Sequence, residues 1–170
     1  MIPKDINVDA LAEQLTDSDV VANQAALDTL GEHADSTLQH VQSTVDTESH
    51  PEMAERLGET KVVLLKGNNL TRENSRDIAQ AIKDRTDADT VLVQTTQSAG
   101  AVSDGLTRYN IENNEPLVAG SLDPADTQAF VSSAADAHSY ITPVNALALI
   151  AVLVAIPIGA ISTKLALRSR

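Results

Sequence analysis

The stretch from Ile141 to Thr163 holds 23 consecutive residues without a formal charge, and its centre, residues 146–156, is apolar on every face of a helix. At about 1.5 Å per residue such a helix covers about 34 Å, enough to cross the ~30 Å hydrocarbon core of a bilayer. A soluble helix packed in a small domain would keep a polar stripe. The segment is therefore expected to be a single transmembrane helix with limits near Pro143 and Ile161. Pro157 and Gly159 fall near its far end, where lipid tolerates a kink.

The charges divide at the same place. All 24 acidic residues precede Ile141 with nine of the twelve basic ones, a net of −15, whereas Lys164, Arg168 and Arg170 give the tail +3. Residues 121–140 carry no Lys or Arg. The positive-inside rule then predicts a cytoplasmic C-terminus and an outward-facing domain. The competing topology is a tail-anchored protein with its domain in the cytoplasm. The start, Met1 to Asp5, has no apolar run to act as a signal peptide, so the C-terminal segment is expected to remain as a permanent anchor. The organisation predicted is an acidic extracytoplasmic domain over 1–140, a membrane helix over 141–163 and a short basic cytoplasmic tail over 164–170.

About 140 residues suffice for one domain with a modest core. Tyr109, Phe130 and Tyr140 are the only aromatic residues, so aliphatic side chains must build that core. So acidic a surface argues against nucleic acid, whose phosphates need clustered Lys and Arg. It serves either solubility or a basic partner protein. With no cysteine, disulfides, thiolate metal sites and cysteine nucleophiles are excluded, while the redox compartment stays open.

Asn7 or Asp9 is placed to cap a short helix bearing Val8, Leu11 and Leu15, which Asp17-Ser18-Asp19 ends. Leu27, Leu30, Ala34, Leu38, Val41 and Val45 form one continuous helical stripe. Residues 46–59 read as a loop with room for a turn of helix. The apolar run 61–66 is a strand covered on both faces, and Gly67-Asn68-Asn69 is a turn. Asn74 or Ser75 then caps a helix to Arg85 with Ile78, Ala79 and Ile82 inward, and residues 90–95 form a second strand. Together these predict a parallel βαβ unit. A third strand is expected at Pro116–Ala119, and a last helix from Asp123 and Pro124, carrying Phe130 and Val131. That helix runs almost directly into Pro143, so the domain is expected to stay close to the bilayer.

Chemistry is harder to find. The chain has no dinucleotide fingerprint, phosphate loop, nucleophile elbow or zinc-protease motif, and no cofactor is expected. His33 and His40 lie seven apart without a carboxylate constellation. Asp84, Asp87 and Asp89 are weak candidates for a hard cation such as calcium, with ordinary turn chemistry the simpler account. Ser98, Ser103 and Asp104 follow the second strand, where open α/β sheets often bind ligands, yet no base stands ready to activate either serine. The long connection from Gln97 to Glu115 is the candidate partner surface, with Gln97, Ser103, Arg108, Tyr109 and Glu115 as contact residues.

Several segments resemble a family of single-pass membrane proteins from actinobacteria with mycolic-acid envelopes. These are Ile2-Pro3 with Asp5-Ile6, the strand start Lys61-Val62-Val63, the helix Ser75-Arg76-Asp77-Ile78-Ala79, the strand Asp89-Thr90-Val91-Leu92-Val93, and the lone C-terminal membrane helix. The resemblance implies a small α/β domain of TPM type and a regulatory role toward a peptidoglycan endopeptidase that separates daughter cells. It has no clear counterpart here for the acidic positions of active TPM phosphatases. The function expected is thus a non-catalytic, membrane-anchored module that recruits or activates a peptidoglycan hydrolase. The alternatives are a metal-dependent TPM-type phosphatase and a cytoplasmic tail-anchored protein.

Overall fold

Strands β1 (Val20–Ala22), β2 (Thr60–Leu65), β3 (Thr90–Thr95) and β4 (Ala99–Ser103) form one sheet in that order in the computed structural model, which describes residues 1–136. The first two pairings are parallel and the last is antiparallel. Both central strands are buried along their whole length, as continuous apolar runs require when helices cover both faces. On one face Val63, Leu65, Val91 and Val93 meet helices α1 (Val8–Gln14) and α5 (Arg72–Lys83). On the other, Val62, Leu64 and Leu92 meet α2 (Gln24–Leu30), α3 (Ala34–Val45), α4 (Pro51–Leu57), α6 (Arg108–Asn114) and α7 (Pro124–Asp136). The result is a three-layer α/β domain.

The expected βαβ unit is present as β2–α5–β3, with Ile78, Ala79 and Ile82 fully buried. Asn7 caps α1, and Asn69 takes a positive φ of 54° in the predicted turn, a conformation Asn tolerates. Four expectations need correction. The stripe from Leu27 to Val45 is not one helix, because Gly31, at φ 57°, ends α2 and a 3₁₀ turn over Gly31–His33 intervenes before α3. Helix α5 is capped by Thr71, with the Asn74 side chain accepting from the Thr71 N–H in a capping box, so it begins three or four residues earlier than a cap at Asn74 or Ser75 would allow. The strand expected at Pro116–Ala119 is absent. A 3₁₀ turn occupies Glu115–Leu117, a position that suits Pro116, which has no N–H for a ladder.

The fourth concerns the connection from Gln97 to Glu115, which contains β4 and α6. A hairpin of Thr96, Gln97 and Ser98 joins β3 to β4, where the Thr95 and Ser98 backbones pair. Strand β1 also went unpredicted. It has three residues, and the Asp17-Ser18-Asp19 cluster before it reads equally well as a helix boundary.

Helix α7 is tied to the middle of the sheet by Gln94, which is fully buried in β3. Its Nε2 donates to the carbonyls of Ser121 at 2.9 Å and Asp123 at 3.3 Å, and its Oε1 accepts from Thr127 Oγ1 at 2.6 Å. Among the described residues no helix is long and apolar enough to cross a membrane. The expected anchor over 141–163, its limits Pro143 and Ile161, and the flank Lys164, Arg168 and Arg170 lie outside the described residues.

Candidate functional site: an arginine-flanked crevice

A crevice of about 400 Å³ opens beyond the carboxyl ends of β2 and β3. Its walls come from Leu70 and Thr71 after β2, Gln97 and Ser98 in the hairpin, Ala99 of β4, and Glu115, Pro116 and Ala119 after α6. Open α/β sheets bind ligands at this end of their strands. Most of the wall is carbon, and the polar side chains are tightly organised.

Glu115, only 4 % exposed, lies at the centre. One carboxylate oxygen accepts from Arg72 Nε at 2.5 Å and the other from the backbone N–H of Ala101 at 3.2 Å. That N–H points away from β3, so the glutamate closes part of the open edge of β4. Arg72 is the first residue of α5, half exposed, and the hydrogen bond to Glu115 raises its already high pKa. Arg76, one turn along α5, and Arg108, first in α6, both reach Glu112, at 3.8 Å and 2.6 Å, and Arg72 approaches the same carboxylate at 3.9 Å. The hydrogen bond from Arg108, followed by the fields of Arg108, Arg72 and Arg76, holds the Glu112 carboxyl below the usual glutamate range.

A lowered folded-state pKa means that this ion pairing is fully present above the usual glutamate range and fades as pH falls through the lowered value. Carbon-detected NMR of the full chain should therefore find Glu112 titrating below that range. Arg108→Gln should return it most of the way, because Arg108 supplies the largest share. An unchanged titration in that variant would show the pairing to be incidental.

The hydroxyls near the crevice are committed to structure. Ser98 Oγ donates to the Leu70 carbonyl at 2.8 Å and lies 2.8 Å from Ser75 Oγ and 3.3 Å from Thr95 Oγ1, all in the interior. Ser103 stands at the other end of β4, bonded to Thr90 Oγ1 at 2.7 Å and accepting the N–H groups of Gly105 and Leu106. Asp104 pairs with Lys83.

Of the five predicted contact residues, the fold brings two to the crevice and a third beside it. Gln97 and Glu115 line the crevice, with the Gln97 Oε1 accepting from Leu70 N at 2.9 Å. Arg108 joins them through Glu112, and Tyr109 follows it on α6. Ser103 is placed elsewhere. Arg72, Arg76 and Glu112 were missed, although Arg72 with Arg76 and Arg108 with Glu112 each repeat at the four-residue step that puts side chains on one helix face.

The acidic candidates do not converge. Asp84 ends α5 and accepts from Gln80 Nε2, and Asp89 accepts from the N–H of Glu59. Among the described residues no group of three or more His, Cys, Asp or Glu is placed to hold a metal ion. His40 lines a separate groove of about 420 Å³ with His50, between α3, α4 and α7, and His33 is not part of it.

Comparison with known proteins gives one family. No curated protein and no solved structure matches. The family model described as "Membrane protein Rv1476" matches residues 1–170, the whole length of the chain. The chain therefore belongs to the membrane protein Rv1476 family.

Proposed function

We propose that this protein is a non-catalytic binding module held at the outer face of the cell membrane, which recruits or activates a peptidoglycan hydrolase acting in cell separation. The observation that carries the binding reading is the character of the short segment from Thr107 to Leu117. Among the described residues, the exposed large hydrophobic side chains are Met1, Tyr109 and Leu117, and two of the three lie on this segment. Arg108, which pairs with Glu112, precedes Tyr109 in the chain, and Glu115, which pairs with Arg72, lies two residues before Leu117. Tyr and Arg are the residues that interfaces favour, and exposed apolar side chains on one short segment mark contact surface more than solvated surface.

Membership in a membrane protein family supports the anchored part of the proposal. The uncharged run over 141–163 and the basic flank after it support the outward orientation. The layered α/β domain supports kinship with TPM domains. The serines that a hydrolytic reading would recruit are bound to other hydroxyls and to backbone, which favours docking over turnover. Confinement to a thin layer at the bilayer raises the effective concentration of both partners and strengthens a weak contact.

Two measurements test this. A photo-crosslinker placed at Leu117 of the full chain in native membranes should capture an envelope hydrolase, and Tyr109→Ala should cut that capture by about tenfold, as loss of an aromatic anchor does. Recovery of no envelope enzyme would reject the proposal. Protease added to spheroplasts should digest the domain, whereas full protection would place it in the cytoplasm.

A further inference from the structure

The groove between α3, α4 and α7 takes its floor from buried side chains, those of Met53, Val131 and Thr44. Its rim carries His40 from α3, His50 and Glu52 from the start of α4, and Gln128 and Asp136 from α7. With histidine counted neutral, the charged residues of this lining are Glu52 and Asp136, so the groove is acidic. Glu55 stands exposed on α4 one turn beyond Glu52, close enough to add to the same field.

Charge is divided unevenly between the two helical layers. Helices α2, α3, α4 and α7, four of the five on one face of the sheet, carry Asp28, Asp35, Glu52, Glu55, Asp126 and Asp136 against one basic residue, Arg56. Helices α1 and α5 on the opposite face carry four acids against three bases, Arg72, Arg76 and Lys83. Solubility asks for net charge and is served by either layer, so it gives no reason for this segregation. Exposed charges farther than about 8 Å are screened at physiological salt, and the carboxylates at the groove itself decide what it attracts.

An apolar floor beneath an acidic rim fits a long basic side chain. Lysine and arginine lay their hydrocarbon stems along apolar surface and keep the charged head at its polar edge. A methionine thioether such as that of Met53 adapts its shape to a stem of this kind. Anionic lipid headgroups and nucleic-acid phosphates meet charge of their own sign here. We propose that this groove docks a segment of a partner protein in which a lysine or arginine, flanked by apolar residues, reaches Glu52 and Asp136. This rests on the binding-module reading, and adds to the segment from Thr107 to Leu117 a second contact with a chemistry of its own.

The test uses the full chain in detergent micelles and a set of blocked nonapeptides, each with one central lysine or arginine between varied apolar residues. Isothermal titration at low salt should find members that bind below about 1 mM. Exchanging the central basic residue for glutamine should weaken them about fivefold, the scale of one partly exposed charge pair. Glu52→Gln with Asp136→Asn should cost about the same, whereas Glu13→Gln on α1 should change binding by less than about twofold. Glu52→Lys with Asp136→Lys should reverse the preference, so that peptides with a central glutamate bind more tightly than those with lysine. Circular dichroism of each variant checks that the domain is folded. A loss as large in Glu13→Gln as in the groove variant would assign the attraction to net charge and overturn the proposal. So would equal binding of lysine and glutamine peptides, an unreversed preference, or no peptide binding below 1 mM. If peptides fail while Leu117 still crosslinks an envelope hydrolase, the groove assignment falls and the binding-module reading stands. If both fail, both fall.

Discussion

Gly100→Val is expected to destabilise the domain by on the order of 3 kcal/mol or more, and to scatter the arginine cluster in the molecules that still fold. A Cβ at Gly100 would lie 2.4 Å from the Arg76 nitrogen, 2.7 Å from the Ser75 carbonyl carbon and 2.9 Å from the Arg76 Cα. Carbon atoms settle at about 3.5–4.0 Å. All three obstacles are backbone of α5, so no side chain can swing away. The helix and β4 must separate along their contact, and a domain with a total stability of about 5–15 kcal/mol has little to spare. Because Arg72 and Arg76 ride on α5, the shift also draws them away from Glu115 and Glu112. Urea denaturation of the full chain in micelles reads the stability, and the NMR titration of Glu112 reads the cluster. Gly100→Ala should show the same loss in smaller measure. A valine variant as stable as the wild type would mean that α5 and β4 are not in close contact.

The same glycine explains why half of the sheet was hard to read. Strands β2 and β3 announce themselves as apolar runs because both of their faces are covered. Strand β4, Ala-Gly-Ala-Val-Ser over residues 99–103, carries small residues because a helix lies almost on its backbone. Nothing in strand propensity favours such a sequence, and only the tertiary contact supplies a reason for it. Strand β1 is concealed differently, since three residues are too few to show a period. Gly31 stands inside an unbroken stripe of apolar steps that runs from Leu27 to Val45. The positive φ that ends α2 is a backbone property which hydrophobic spacing does not record.

The site was legible to a similar degree. A long polar connection draws attention to Gln97, Ser103, Arg108, Tyr109 and Glu115, of which Gln97 and Glu115 line the crevice. Their arrangement depends on Arg72, which lies 43 residues before Glu115 in the chain. An ion pair at that separation leaves no local pattern. Local rules find Arg108 with Glu112 on one helix, but they do not show that α5 delivers two further guanidinium groups to the same point.

Phe130→Ala is the second large effect. Phe130 is 1 % exposed and is the only phenylalanine in the chain, standing in the cluster that joins α3, α4, α6 and α7 to the sheet. Truncation removes a ring for which the surrounding aliphatic side chains have no substitute. Losses of about 3–5 kcal/mol are usual for such a change. For a domain of this size they correspond to a fall in Tm of about 10–20 °C. Thermal melting followed by circular dichroism measures it. A loss under 1 kcal/mol would show that α7 does not dock through this ring.

Helix α7 also has a mechanical character, set by where Gln94 holds it. The bonds to Ser121, Asp123 and Thr127 gather just before the helix and at its first turn, whereas its far half is held by apolar contacts of Phe130, Val131 and Ala134 and by one hydrogen bond from Ser133 to Asn114. A pull on the chain from residue 137 onward would strip those contacts one turn at a time, at low force. It would then meet three hydrogen bonds buried against the central strand, which must break together. The four-stranded sheet is thus insulated from tension by a helix that yields gradually and then stops.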